Sequence, residues 1–188
     1  MYRQFGKRLL DIVIAAFAVL LLSPLMVLVG VAIRIEDGGP SIFAQQRVGR
    51  GRSLFTLYKF RSMPTNTANV PSTHVQSLRT TKVGAIIRRL NVDELPQLFN
   101  VIRGEMSLVG PRPALPVQDA LLAERSKNGS ADIKPGLTGL AQVGSYDGMP
   151  ESEKAALDGC YAKDVTFLGD LIVISRTFAY LLRKPPVY

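Results

Sequence analysis

The hydrophobic pattern is most uneven at the start of the chain, where Leu9 to Ile33 reads LLDIVIAAFAVLLLSPLMVLVGVAI with Asp11 as its single charge. As one straight helix this stretch would rise roughly 37 Å, against a bilayer hydrocarbon core of about 30 Å. Ser23 and Pro24 interrupt it. Proline lacks an amide hydrogen and its ring meets the carbonyl four residues back, here that of Leu20, so the helix is expected to bend or break there. The first limb, Leu9 to Leu22, would rise only about 21 Å and does not cross a bilayer by itself. Arg3, Lys7 and Arg8 precede the segment, and Arg34, Arg47, Arg50 and Arg52 follow it. The positive-inside rule then places both ends in the cytoplasm. A re-entrant helix-break-helix hairpin satisfies both observations, with the Ser23 hydroxyl bonding a carbonyl released by the break; a kinked membrane span fits this segment equally well. A signal peptide fits less well, because the segment is long, carries Asp11 and lacks a small-x-small cleavage site before Ile33.

Beyond EDGGP at Glu36–Pro40, two β-prone runs, SIFAQQ and SLFTLYKF, flank the basic loop RVGRGR and predict a β-hairpin. Met63–Thr73 is loop by composition. Val83–Leu90 has an apolar face beside Arg88 and Arg89 and suits a lipid interface. A helix is expected from Asp93 to about Arg103, stopped by Gly104, with further helices over residues 116–126, 151–163 and 167–183. The Gly/Pro-rich stretches SLVGPRPALP and IKPGLTGLAQVG read as loops. Leu168, Leu171, Ile172, Phe178 and Leu182 give the last helix an apolar stripe suited to core or interface packing.

Composition narrows the chemistry. The 188 residues carry a net charge of +8 although 47% are hydrophobic, which suits a cationic protein whose partners are nucleic acid, anionic lipid or phosphorylated small molecules. One cysteine, Cys160, excludes an internal disulfide and is read as a small buried thiol. One histidine, His74, leaves no Ser-His-Asp, Cys-His or multi-His metal chemistry within the chain. Catalysis must then run on carboxylates, Lys, Arg, Tyr or a hard metal ion.

The block NVDELPQLFNVIRGEMSLVGPRP concentrates candidates. Asp93 suits a helix N-cap with Pro96 in the first turn, which places Asp93 and Glu94 at the positive end of a helix dipole, where carboxylates stay ionised and phosphates bind. An ionised carboxylate beside bound phosphate can attack phosphorus; acidic residues also open many helices purely as caps. Arg112 lies between Pro111 and Pro113, and a guanidinium on so stiff a loop suits bidentate phosphate recognition or a structural salt bridge. Lys59, Arg61, Arg88 and Arg89 can add to the same anionic pocket or face lipid headgroups. A diphosphate reaction calls for a divalent ion, and oxygen ligands alone favour magnesium, with Glu94 the first-choice ligand. Asp158 and Asp170 are candidates for partners of Lys59 or of the metal, or for plain helix-surface charges.

In order along the chain, KRLLD, the Ser-Pro break, IFAQQRVGR, YKFRSM, DELPQLFNVIRGEMSLVGPRP, KPGLTGLAQV and YAKDVTFLGDL resemble the small monotopic phosphoglycosyltransferases, bacterial sugar transferases that start glycan assembly for capsule, O-antigen, exopolysaccharide or glycoprotein. The resemblance implies a re-entrant helix broken at Ser23 and Pro24, an inner-membrane location and an active site facing the cytoplasm. It implies that Asp93 attacks the sugar-linked phosphate of a UDP-sugar, expelling UMP, and that polyprenyl (undecaprenyl) phosphate then displaces Asp93. It further implies Mg2+ on Glu94, phosphate or substrate contacts from Lys59, Arg88, Pro111, Arg112 and Gln142, and structural roles for Asp158 and Asp170. The chain would be the minimal form, lacking the extra N-terminal spans of larger relatives. Two departures stand out: Gly144, Ser145 and Tyr146 replace a common Asn-Gly-Arg, and Cys160 stands where Tyr is frequent beside Tyr161. TANVPST with RPALP resembles a subgroup acting on N-acetylated 6-deoxy sugars. The expected fold is α+β and mainly helical: a membrane hairpin over 1–36, then a cytosol-facing catalytic domain over 37–188 holding a short β-hairpin and interfacial amphipathic helices, the two forming one functional unit. Nucleic acid is not an expected partner; lipid is, and an oligomer is compatible.

Two other classes compete. A membrane-tethered basic domain that only binds anionic lipid or RNA explains the charge but leaves the stiff Gly/Pro loops and clustered acids without a use, and its affinity would fall steeply with salt. A hydrolase would use water in place of the lipid acceptor.

Overall fold

The computed structural model describes residues 2–65, 80–146 and 149–181. His74, most of the Met63–Thr73 loop, Leu182 and Arg183 lie outside these residues. After a π-helical turn at Tyr2–Gly6, the apolar segment forms one helix, α1, Lys7–Asp37. Pro24 lies inside it and the helix continues through, so the expected break is not a non-helical gap. The Ser23 hydroxyl donates to the Leu20 carbonyl at 2.9 Å. That is the carbonyl Pro24 cannot serve, so the side chain replaces the missing amide and lets the helix pass.

Only 11% of the most apolar window of α1 is buried, at a mean hydropathy of 2.9, so α1 is not the core helix of a water-soluble fold. Phe17, Leu20, Leu21, Val27 and Leu28 are all more than 60% exposed. Its two ends, by contrast, are built into the rest of the molecule. Near the start, Ala15 packs with Phe55, Leu57, Leu98, Val101 and Met106. Asp11 accepts the Leu108 amide at 3.0 Å, and Arg8 donates to the Val101 and Ile102 carbonyls at 2.6 and 2.8 Å. Near the far end, Val29 and Ile33 pack with Phe60 and Ile87. There Asp37 pairs with Arg61, and Glu36 accepts the Lys82 and Val83 amides at 2.6 and 3.0 Å.

The hairpin forms as expected, β1 (Ile42–Val48) antiparallel to β2 (Leu54–Phe60), with Gln45 opposite Leu57 and Phe43 opposite Lys59. Next come α2 (Lys82–Arg89), capped by the Thr81 hydroxyl on the Gly84 amide at 2.9 Å, and α3 (Gln97–Arg103), closed by Gly104 at φ 89°. A second sheet forms where the sequence predicts only loop: β3 (Ser107–Val109) pairs in parallel with β4 (Gly136–Thr138). Three-residue strands carry too little alternation to announce themselves. Their glycines allow the close approach, since a Cβ on Gly110 would collide with the Lys134 carbonyl and one on Gly136 with the Gly110 amide. α4 (Asp119–Asn128) starts three residues later than expected, and the short α5 is Leu140–Val143. α6 (Glu151–Lys163) keeps its expected limits, and α7 begins at Phe167 and runs to Leu181.

One expectation about packing is overturned and another is narrowed. Cys160 is exposed, because α6 buries the face carrying Ala155, Asp158, Gly159 and Ala162 and position 160 turns away from it. The stripe on α7 is not core: Leu168, Leu171, Ile172 and Phe178 are exposed, while Asp170 and Val173 face inward.

Asn100 docks α3 on β2. Its amide donates to the Thr56 carbonyl at 2.7 Å, and its oxygen accepts the Tyr58 amide at 3.2 Å. An Asn100→Ala variant leaves both backbone groups unserved and is expected to cost about 1–3 kcal/mol, measured as a lower thermal midpoint in detergent; an unchanged midpoint would show the docking rests on apolar packing alone.

Candidate active site

Three local devices bring the charged residues together. Asn91, at φ 54°, opens a 3-10 turn over Val92–Glu94, which Leu95 and Pro96 separate from α3. Asp93 therefore sits in this turn and caps no helix, and the helix-dipole argument for its ionisation does not hold. The α3 dock through Asn100 sets the turn beside β2, so that Lys59 reaches it. The stretch after β3 delivers Arg112 from the other side, stiffened by the buried Pro111 and Pro113.

Glu94 Oε1 accepts from Lys59 Nζ at 2.7 Å and from an Arg112 terminal nitrogen at 3.0 Å. Burial alone would raise this acid, but the Lys59 and Arg112 charges outweigh it and hold the carboxyl at about 2. Asp93 is pushed the other way, up to about 6, by burial and the Glu94 charge, with Lys59, Arg88 and Arg112 opposing. No hydrogen bond ties up its side chain among the described residues. The two neighbouring acids thus have different parts to play. Glu94 is a fixed anion, while Asp93 is an unengaged carboxylate that titrates near neutrality.

Arg88, on α2, joins through its charge on Asp93. Arg47 also belongs here: burial and repulsion from Arg112 lower its guanidinium to about 10, with Glu94 opposing. By sequence it bears only on topology, as one of the cations after the apolar segment, although it stands in IFAQQRVGR. Pro111 contributes its carbonyl, which accepts the Gly136 amide at 2.8 Å. Gln142 makes no hydrogen bond to Glu94 among the described residues; its side-chain nitrogen donates to the Leu137 carbonyl at 3.0 Å. Arg61 serves Asp37, and Arg89 is exposed.

Neither Asp158 nor Asp170 pairs with Lys59 among the described residues, and neither is a surface charge. Asp158, 1% exposed, accepts from Arg125 Nε at 2.9 Å and a terminal nitrogen at 2.6 Å. Asp170, 5% exposed, accepts from Tyr2, Lys7 and Tyr161, each at 2.6 Å. Among the described residues no group of three His, Cys, Asp or Glu side chains could hold a metal ion unaided. Magnesium does not need one, since it commonly takes one or two carboxylates and completes its shell with substrate phosphate and water. Glu94 fits that part, because both of its cationic partners use Oε1 and leave Oε2 without a hydrogen bond among the described residues.

A partly buried cationic frame around paired acids can bind a phosphate and expose its phosphorus to a carboxylate. Known proteins similar to this chain are named as transferases of sugar phosphates. The chain is 39% identical over 191 residues to the UDP-glucose:undecaprenyl-phosphate glucose-1-phosphate transferase of Caulobacter vibrioides, covering 97% of this chain and 72% of that protein. It is 36% identical to the undecaprenyl-phosphate galactose phosphotransferase of Salmonella typhimurium, over 98% of this chain and 42% of that one. It is 37% identical to the UDP-N-acetylgalactosamine-undecaprenyl-phosphate N-acetylgalactosaminephosphotransferase of Aeromonas hydrophila, over 95% and 44%. The chain thus spans less than half the length of the Salmonella and Aeromonas relatives. The profile of the bacterial sugar transferases matches residues 2–184, a stretch that includes every element from the turn before α1 through α7, and the chain belongs to that family.

Proposed function

We propose that the chain transfers a sugar 1-phosphate from a UDP-sugar to polyprenyl phosphate, through a covalent intermediate on Asp93, as the first membrane step of bacterial glycan assembly. The observation that carries this reading is the unengaged Asp93 carboxylate beside a Glu94 anchored by Lys59 and Arg112. An Asp93 oxygen attacks the sugar-linked phosphorus; the P–O bond to the bridging oxygen breaks, and UMP leaves with the electron pair. A phosphate oxygen of the polyprenyl acceptor then attacks the same phosphorus and displaces the Asp93 carboxylate, giving polyprenyl-diphospho-sugar. Lys59, Arg88 and Arg112 oppose the charge that builds on the phosphoryl oxygens. Magnesium, held by Glu94 and substrate phosphate, would add charge neutralisation to that set. The lipid acceptor distinguishes this from a hydrolase, and the apolar exposure of α1 supports a lipid partner. To test the reaction, purified protein is mixed with magnesium, undecaprenyl phosphate and a panel of UDP-sugars that includes N-acetylated 6-deoxy sugars. UMP is expected as the released nucleotide; UDP, or no nucleotide from any donor, would reject it.

α1 is read as re-entrant. Both of its ends are bonded to the same body, through Lys7, Arg8 and Asp11 at one end and Glu36 and Asp37 at the other, and such a helix does not readily deliver its ends to opposite sides of a membrane. In sealed inverted vesicles of a Cys160→Ser background, Arg3→Cys and Pro40→Cys should both react with an impermeant maleimide. Reaction of only one would contradict the hairpin.

The pH dependence follows from Asp93. Below about 6 the carboxyl is protonated and lacks the nucleophilic anion, so kcat/KM should rise with pH through about 6 and level off above it. Glu94, held at about 2, stays ionised across that range and adds no second step. A rate profile flat from about pH 5 to 8 would remove Asp93 from the nucleophile's role.

A further inference from the structure

Pro111 and Pro113 have no amide hydrogen, so the stretch that carries Arg112 is held through its carbonyls. Four consecutive carbonyls are each taken by a different donor. Pro111 accepts the Gly136 amide at 2.8 Å, and Ala114 accepts the Val48 amide at 2.9 Å. Between them, Arg112 accepts from Arg125 at 2.9 Å and Pro113 from Arg47 at 3.1 Å. The two central donors are guanidinium groups that are themselves oriented: Arg125 by Asp158, and Arg47 by Gln45 Oε1 at 2.6 Å. Burying an arginine is costly unless its donors are satisfied, and Arg125 is only 6% exposed. If the loop needed only to be packed, apolar side chains would do this more cheaply. The Gly136 bond to Pro111 and the Arg125 bond to Arg112 fix the peptides on both sides of the Arg112 Cα, and the Arg47 bond to Pro113 fixes the next one, which sets the direction in which the Arg112 side chain leaves the backbone.

We infer that Arg125, oriented by Asp158, and Arg47, oriented by Gln45, are positioning residues that aim the Arg112 guanidinium at the phosphate-binding face beside Glu94. The inference rests on the transferase reading and deepens it. It gives Asp158 a part in catalysis exerted through two intervening residues, and it gives Arg47 a part that its place in the sequence does not announce.

A role exerted through Arg112 makes losses non-additive. The guanidinium support is removed in two independent ways: Arg47→Lys, which keeps the charge, and the paired Arg125→Met with Asp158→Leu, which leaves no buried ion unpartnered. Each is made in the wild type and in Arg112→Gln. In the wild type each should lower donor kcat/KM about 10- to 100-fold, with a thermal midpoint near the parent's; in Arg112→Gln each should change it less than about 2-fold. Equal losses in both backgrounds would overturn the inference, because the residues would then act without Arg112. Binding of inorganic pyrophosphate, followed by calorimetry, is read in the same six proteins and needs no turnover. If the wild type turns over no UDP-sugar, the transferase reading fails by itself, while pyrophosphate binding that weakens only where Arg112 is present still supports the positioning role. Binding equally weakened in both backgrounds rejects it.

Discussion

Asp93→Asn should abolish UMP release, by at least about 10^3-fold, while leaving the fold and donor affinity nearly intact. An amide has the size of the carboxylate but no anionic oxygen with which to form an acyl phosphate. Asp93 makes no side-chain hydrogen bond among the described residues, so the substitution strands no partner. Burial already pushes this acid toward its neutral form, and a neutral amide is no worse accommodated. The loss should therefore fall on kcat, with the donor KM changed by less than about 3-fold. Intact-protein mass spectrometry in the presence of donor alone adds a second readout: a phosphosugar adduct on the wild-type chain and none on the variant. Turnover by the variant within about 10-fold of wild type would assign the chemistry elsewhere.

The second large effect concerns the attachment of α1. Asp170 accepts from Tyr2, Lys7 and Tyr161, which joins the start of the chain to α6 and α7 around one carboxylate. The side chains of Lys7 and Asp170 are 13% and 7% exposed, so removing the acid leaves an uncompensated cation near the interior. Burial, together with the Asp170 charge, pushes both phenols well above the ordinary tyrosine range, which keeps them as donors. Asp170→Ala should cost about 3–5 kcal/mol, a drop in thermal midpoint of roughly 6–20 °C for a chain of this size. Combining it with Lys7→Met should recover part of the loss, since the stranded charge is then gone. A fall of less than about 2 °C for the single variant would mean that α1 is held by its apolar contacts alone.

How legible the chain is depends on the range over which each signal acts. α6 keeps its expected limits because the chain between Pro150 and Asp164 carries acids in its first turn and Lys163 in its last. The hairpin is visible because two β-prone runs flank a glycine turn, where Gly51 and Arg52 both take positive φ. The start of α3 is not: the acids at 93 and 94 look like first-turn residues, yet the left-handed Asn91 bends them into a separate 3-10 turn. β3 and β4 are hidden because each becomes a strand only against the other, 27 or more residues away along the chain. Lys59, Asp93, Glu94, Arg88 and Arg112 stand out in the sequence as charged residues in tight neighbourhoods, and the structure gathers them. Asp158 and Asp170 stand out too, but their charged partners, Arg125 and Lys7, lie 33 and 163 residues distant and leave no local pattern that names them. Arg47 looks like one of several membrane-flanking cations. Asn100 has no place among the sequence candidates, although a polar residue between the buried Leu98 and Val101 is a signal of its docking role.

The relatives separate what the frame does from what it acts on. Their names differ in the sugar, glucose, galactose or N-acetylgalactosamine, and share undecaprenyl phosphate. A fixed set of cations around two acids suits the diphosphate common to all such donors, and sugar choice then falls to other contacts. Gly144, Ser145 and Tyr146 lie just beyond α5; Tyr146 is half exposed and donates to Glu153 at 2.6 Å.

The most direct test follows the phosphorus itself. A UDP-sugar labelled with 32P at the sugar-linked phosphate is incubated with the protein, magnesium and undecaprenyl phosphate, and the lipid is extracted. Transfer of sugar 1-phosphate carries the label into the lipid fraction in equal amount to the UMP released. Label remaining in the aqueous phase as UDP while the sugar enters the lipid would contradict it.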